Sequence, residues 1–198
     1  MKQTILQRIA ASLVSRPAIY DLVQRAAGQE IVSRRLRAAT ERLPPALCLD
    51  VGGSSGGFAR RLGAETVCLD VDLRPLLALK RSDPRARALA GDGARLPFPS
   101  RSFPRTLCVM VFHHVDDETL PGLVAELSRV TSGHLVFLEP LLNSRRFVSR
   151  FLWNYDRGRH PRDRANLLEA LSKSFVVEET TEFAVYHQYL LAIATPRR

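Results

Sequence analysis

The chain of 198 residues contains no apolar run of the roughly eighteen residues that a membrane-spanning helix requires. Its longest such runs, TLCVMVF and YLLAIAT, have the length of strands. Cysteine is scarce, and Cys48, Cys68 and Cys108 each stand in a separate apolar run (LCLD, VCLD, LCVM). Without pairs at short spacing there is no disulfide framework and no zinc site, so these residues read as buried thiols in a reducing compartment. Lysine is nearly missing, at positions 2, 80 and 173 only, and arginine therefore carries most of the net charge of +9. The arginines are scattered, with no long basic block and no interleaved aromatics to stack bases. A solvated basic surface is favoured over a nucleic-acid face, although RNA or acidic lipid is permitted as a partner. The start, MKQTILQRIAASLVSRP, has Arg8 inside any signal-peptide core and no cleavage site, which predicts a cytoplasmic protein. It is also free of acids until Asp21, which leaves a transit peptide open.

At 45% hydrophobic and 25% charged, the composition is that of a globular protein rather than a disordered one. From about residue 46, strand and helix signals alternate: ALCLD, FARRL, TVCLD, PLLALKR opened by Pro75, RARALA, TLCVMVF, DDETLPGLVAELSRV with acids in its first turn, and HLVFLEP. Such alternation predicts a doubly wound, mostly parallel α/β sheet with helices on both faces. FVVEETTEF and YHQYLLAIAT add a closing antiparallel hairpin, making seven strands. ILQRIAASLV and QEIVSRRLRAATERL predict helices ahead of the sheet, and NSRRFVSRFLW and ANLLEALSK predict helices after its fifth strand. The expected organisation is one domain, 1–198, with a helical N-terminal cap (1–43), a ligand-binding core (44–140) and a substrate-side loop, helix and hairpin (141–198).

Residues 50–57 read DVGGSSGG at the end of the first core strand. In open α/β sheets ligands bind beyond the carboxyl ends of the strands, where a bare turn lets backbone N–H groups face them. Asp70, twenty residues after Asp50, ends the next strand at the interval expected of an acid that accepts ribose hydroxyls. Asp72 competes for that role. Ser54 stands where a dinucleotide pattern wants glycine, and Asp50 would face a diphosphate with like charge. A ligand carrying an amine, a ribose and an adenine suits the carboxylate better, and S-adenosylmethionine is such a ligand. Here DVGGSSGG resembles the first motif of the class I S-adenosylmethionine-dependent methyltransferases, CLDVDLRPL their second strand and turn, and GDGARLPFPSRSF their third motif. VFHHVDD and ELSRV…HLVFLEP are similar to the fourth strand end, the next helix and the fifth strand. The closest likeness is to the small-molecule subgroup. The resemblance implies cofactor contacts at Asp50, Gly52, Gly53, Ser54, Gly56, Asp70 or Asp72, Asp92 and Gly93, with Asp92 approaching the adenine amino group. Departures from the pattern are Ser54, Phe103-Pro104 before the fourth strand, and a lone Gly133 before the fifth.

Methyl transfer needs in-line positioning, and a base only when the acceptor must lose a proton. His113 and His114 follow the fourth strand, and alternation lets one of them face the pocket; His114 matches the family's recurrent histidine. NYDRGRHPR (154–162) offers His160 as a further catalytic candidate and Tyr155, Asp156 and Arg157 as acceptor contacts. Glu139 and Tyr186-His187 are secondary candidates, and no metal site is expected. The expected function is methyl transfer to oxygen or carbon of a small organic acceptor. The rival readings are an RNA or protein methyltransferase and a non-catalytic scaffold, with residues 2–16 lying on an anionic membrane surface.

Overall fold

The computed structural model describes residues 28–54, 56–62, 65–142, 159–185 and 187–198. Helix α1 (Gln29–Thr40) leads into β1 (Cys48–Val51), α2 (Gly57–Leu62), β2 (Thr66–Asp70), α3 (Leu73–Ser82) and β3 (Arg87–Ala90). Then come β4 (Phe103–Val109), a 3₁₀ turn (Phe112–His114), α4 (Leu120–Val130), β5 (Thr131–Leu141), α5 (Arg164–Ser172), β6 (Phe175–Ala184) and β7 (Gln188–Pro196). The strands form one seven-stranded sheet in the order β3-β2-β1-β4-β5-β7-β6. β1 to β5 run parallel, and β7 and β6 close the edge antiparallel. The expected architecture is thus met. The expected helices over ILQRIAASLV and NSRRFVSRFLW lie outside the described residues.

Burial follows position in the sheet. The central strands β1 and β4 are buried almost throughout, because helices cover them on both faces. One face carries Val32 and Leu36 of α1, Ala59 of α2, and Leu76 and Leu79 of α3. The other carries Leu123 and Leu127 of α4 with Leu167 and Leu171 of α5. Edge strand β3 is short and largely exposed, while edge strand β6 alternates and turns acids and threonines to solvent, a pattern that discourages further pairing. The three thiols are buried, and burial pushes each one's pKa up, Cys68 to about 12, so none is poised as a nucleophile.

Two helix starts differ from expectation. α3 opens at Leu73 because the Asp72 carboxylate accepts the Arg74 N–H (3.0 Å), so Pro75 sits inside the first turn rather than at its start. α4 begins at Leu120 with Pro121 next, and acids 116–118 precede it; Asp116 instead accepts the Thr119 N–H (2.8 Å) in a turn.

Pro104 and Gly133 explain each other. Between Phe103↔Thr131 and Arg105↔His134, two residues of β5 oppose one of β4, and a Cβ on Gly133 would lie 2.4 Å from the Pro104 carbonyl oxygen. Gly133→Ala is expected to destabilise by about 1–3 kcal/mol in urea unfolding, as overpacking does. Gly122→Ala, whose Cβ would meet nothing closer than Ala94 at 3.7 Å, is expected to stabilise α4 by up to about 1 kcal/mol.

Candidate functional site

Strand order reverses between β1 and β4, and a cleft of about 700 Å³ opens there at the carboxyl ends of the strands. Asp50, Gly52, Gly53, Ser54, Asp70, Asp72, Asp92, Gly93 and His114 all line it. Among the described residues no arginine or lysine does, in a chain of net charge +9.

The glycine turn works differently from expectation. The Gly52 and Gly53 N–H groups donate to the Leu69 carbonyl (2.8 and 3.2 Å), and the Ser54 N–H donates to Asp70 Oδ2 (2.9 Å). They extend the β1–β2 ladder instead of facing a ligand. What glycine supplies is room: a Cβ on Gly52 would lie 2.4 Å from Val111 Cγ2, and one on Gly53 2.7 Å from Asp50 Oδ2. Gly52 also has φ +72°, and Ser54 takes a left-handed φ of 51° without being glycine. Gly56 stands apart from the cleft lining; its N–H donates to the Gly53 carbonyl (2.8 Å) and closes the turn into α2.

The acids divide the work. Asp50 is 2% exposed, and its carboxylate accepts no hydrogen bond among the described residues. Burial first, and the Asp70 carboxylate second, push its pKa up to about 7. Asp70 is half-buried and fixed by the N–H groups of Ser54 and Asp72 (2.9 Å each), one on each oxygen. Asp92 is exposed, with Oδ1 accepting the Ala94 N–H (2.8 Å). Asp72, the competitor of Asp70, is taken up by the α3 cap and by the Arg74 guanidinium (2.7 Å), which hold its pKa down to about 2.

The histidines separate. His114 is exposed at the cleft, whereas His113 is 5% exposed with its Nδ1 against the buried carboxylate of Glu139. The two rings are in contact, with centroids 4.1 Å apart. His160 lies elsewhere. It lines a second groove of about 430 Å³ between α4 and α5, shared with Asp117, Asn166 and Lys173, and is not among the residues that line the cleft. Its backbone N–H donates to the His113 carbonyl (3.0 Å), which is its tie to the cleft. Tyr155, Asp156 and Arg157 lie outside the described residues. No cluster that would hold a metal ion occurs among the described residues.

Two residues matter more than the sequence suggested. Glu139 Oε2 accepts the N–H groups of Val111 (3.0 Å) and Phe112 (3.1 Å), and Oε1 accepts that of His113 (2.9 Å). Arg162, 8% exposed, takes the carbonyls of the same turn: Nη1 donates to Phe112 O (2.6 Å) and Nη2 to Val115 O (2.8 Å), while Asp117 neutralises it (2.5 Å). The turn needs such support because Met110, at its start, has φ +58°, a conformation that costs a non-glycine residue roughly 1–2 kcal/mol. Glu139 carried one legible signal, an acid ending a buried strand; Arg162 looked like one of many arginines.

The buried Asp50 links this site to stability. An unfolded aspartate titrates near pH 3.9, so folding retains a proton on Asp50 that the unfolded chain gives up. Its contribution is full below about pH 4 and is lost as pH rises toward 7. Asp50→Asn is expected to melt close to wild type at pH 4 and to exceed it by roughly 2–4 kcal/mol at pH 8, in denaturant titrations of the free protein. Equal gains at both pH values would contradict the raised pKa.

Comparison with known proteins agrees with this geometry. Residues 49–137 match a family model described as a methyltransferase domain. A demethylmenaquinone methyltransferase of Deinococcus radiodurans is 34% identical over 152 residues, which are 70% of this chain and 61% of that protein, so the chain spans less than two thirds of that relative's length. Geranyl diphosphate C-methyltransferase from Streptomyces coelicolor A3(2), solved with S-adenosyl-L-homocysteine, superposes with a TM-score of 0.70 at 16% identity over 85% of this chain and 82% of that one. A methyltransferase-like structure from Bacillus halodurans C-125 gives 0.68 at 16% identity over 83% and 99%. The cleft between β1 and β4, the motif order and these matches together show that residues 49–137 carry a methyltransferase domain of the class I S-adenosylmethionine-dependent kind, a family whose cofactor is S-adenosylmethionine.

Proposed function

We propose that the chain transfers the methyl group of S-adenosylmethionine to a small organic acceptor. The observation that carries this reading is the charge of the cleft: among the described residues four aspartates and no arginine or lysine line it, although the protein as a whole is strongly basic. Such a cleft repels diphosphates and favours a ligand with cationic groups. The residues present fit the cofactor. Buried Asp50 offers a carboxylate to its amine, Asp70 keeps lone pairs for its ribose hydroxyls, and Asp92 keeps Oδ2 for the adenine amino group. Val71, 82% exposed beside Asp70 in the cleft, gives an apolar surface for a ring. When bound, the cofactor supplies a methyl group on a cationic sulfur.

His114 is the group we assign to the acceptor side. The acceptor's nucleophilic atom takes the methyl group, and any proton it gives up passes to the His114 imidazole. The Deinococcus relative is named for demethylmenaquinone and the Streptomyces neighbour for C-methylation, which favours carbon over oxygen and a small acceptor over RNA or protein. Tyr155, Asp156 and Arg157 are proposed as acceptor contacts. The Leu142 N–H donates to the Arg162 carbonyl (2.8 Å), which brings the two ends of their segment together at the cleft edge of the sheet. A cytoplasmic location suits the three buried thiols.

Titration calorimetry with S-adenosyl-L-homocysteine tests the reading. Wild type is expected to bind, and Asp70→Ala to bind at least about tenfold more weakly, as loss of a charged hydrogen-bond acceptor implies. Asp72→Ala is expected to leave affinity nearly unchanged. No heat from wild type at millimolar ligand refutes the proposal.

A second reading concerns partners and rests on the layer of α1, α2 and α3. Exposed Arg34, Arg81 and Arg85 make no ion pair among the described residues, and Leu73 (53% exposed) and Leu77 (46%) stand one turn apart on the outer face of α3. The opposite layer carries Asp116, Asp117, Glu118, Glu126, Asp163 and Glu169. A basic face with apolar points and no exposed aromatic suits an anionic bilayer better than RNA. Among the described residues no helix is long and apolar enough to cross a membrane, so this contact is peripheral. The protein is expected to float with phosphatidylglycerol vesicles and not with phosphatidylcholine alone, and to be released by salt. Neutralising Arg34, Arg81 and Arg85 to glutamine is expected to lower partitioning by roughly a hundredfold. Sequence-selective RNA binding that survives physiological salt would favour the rival partner instead.

A further inference from the structure

We propose that Glu139 is a positioning residue that sets where His114 stands, acting through the turn after β4 and through the ring of His113; this rests on the assignment of His114 to the acceptor side. Glu139 is 1% exposed and absent from the cleft lining, so it does not meet a bound ligand itself. Its two oxygens face four nitrogen groups: Val111 N and Phe112 N on Oε2, and His113 N and His113 Nδ1 on Oε1. Three of these are backbone donors that cannot reverse their role. Only a group whose two ends both accept satisfies such a set. A glutamine would set its NH₂ against at least one backbone N–H whichever way it is turned.

The consequence reaches the cleft along two paths. One is the backbone, because Val111, Phe112 and His113 are the three residues directly before His114. The other is the His113 ring, which the carboxylate orients and which lies against the His114 ring with centroids 4.1 Å apart. Neither path depends on local preference, since Met110 enters the turn in the left-handed region. The core anchors the same turn through Phe112, whose ring meets Phe137 edge-on at 4.7 Å between centroids. Loss of the carboxylate therefore leaves the turn attached but free to relax about Phe112, and His114 is displaced. The cofactor acids stand on β1, β2 and the loop after β3, outside this linkage.

The test uses full-length protein with ¹⁵N-labelled histidine, the His114 imidazole resonances being assigned with His114→Gln. Glu139→Gln is expected to shift the His114 resonances in the ligand-free protein while S-adenosyl-L-homocysteine affinity stays within about threefold of wild type. With a reduced short-chain demethylmenaquinone as acceptor, kcat is expected to fall by about a hundredfold, the scale of a 1 Å misplacement, with the KM for S-adenosylmethionine little changed. Unchanged His114 resonances in Glu139→Gln overturn the proposal, as does a parallel loss of cofactor affinity and kcat. Should Glu139→Gln fail to fold, Glu139→Asp keeps both acceptor oxygens on a shorter stem, and the same resonances decide. If wild type does not bind S-adenosyl-L-homocysteine, the methyltransferase reading fails, and the ligand-free His114 comparison still decides the role of Glu139.

Discussion

Five residues after β4 depend on two buried charges of opposite sign. Glu139 gathers the N–H groups of the 111–113 turn, and Arg162 gathers the carbonyls of Phe112 and Val115. A backbone turn that is partly buried must satisfy both kinds of group, and the short 3₁₀ turn supplies a partner to only one of these, the Phe112 carbonyl, through the Val115 N–H (3.1 Å). The two clamps come from opposite directions, Glu139 from within the sheet on β5 and Arg162 from the approach to α5. They join the parallel core, which holds the acids of the cleft, to the C-terminal part of the chain. The same turn forms one wall of the cleft through Val111 and His114.

The opposite wall rests on another constraint, the refusal of space. Gly52 admits Val111, and Gly53 admits the Asp50 carboxylate. The turn after β1 and the turn after β4 are therefore packed against each other through a missing side chain. Substitution at Gly52 would push on Val111, one of the three residues whose N–H Glu139 holds. The glycine turn and the β4 turn meet at this packing contact, while the two clamps hold the β4 turn alone.

Much of this was legible in the sequence, for identifiable reasons. Buried parallel strands draw on a narrow apolar vocabulary, so LCLD, VCLD and TLCVMVF announce themselves, and acids that end such runs stand out because little else there is polar. Asp50 and Asp70 were found that way. What escaped depended on facts that local pattern does not encode. The role of Glu139 requires knowing that β4 and β5 are paired so that Met110 N–H reaches the Leu138 carbonyl (2.7 Å), which puts the next turn over the β5 end. Asp72 hinged on whether α3 begins at Leu73 or Pro75. The glycine N–H groups looked free because nothing in DVGGSSGG says that the ladder to Leu69 continues past the strand. His160 sits in a polar segment as expected, yet it lines the groove between α4 and α5.

The acids of the cleft also bear on how a ligand would be released. Burial disfavours the charge of Asp50, and the nearby Asp70 carboxylate adds to the cost. In the free protein the cleft relieves this by keeping a proton on Asp50 near neutral pH. A cationic ligand relieves it differently, by making the ionised form favourable, so binding and proton release are coupled. Methyl transfer removes one positive charge from the cofactor, since a sulfonium becomes a neutral thioether. The electrostatic reward for occupying an acidic cleft is then smaller for the product than for the substrate form, while ribose and ring contacts are the same for both. Charge alone thus gives the cleft a preference for the loaded cofactor, and it does so with residues that never touch the acceptor. Under the proposed function, then, the acidic wall acts on exchange of the cofactor and the clamped turn on what its methyl group meets.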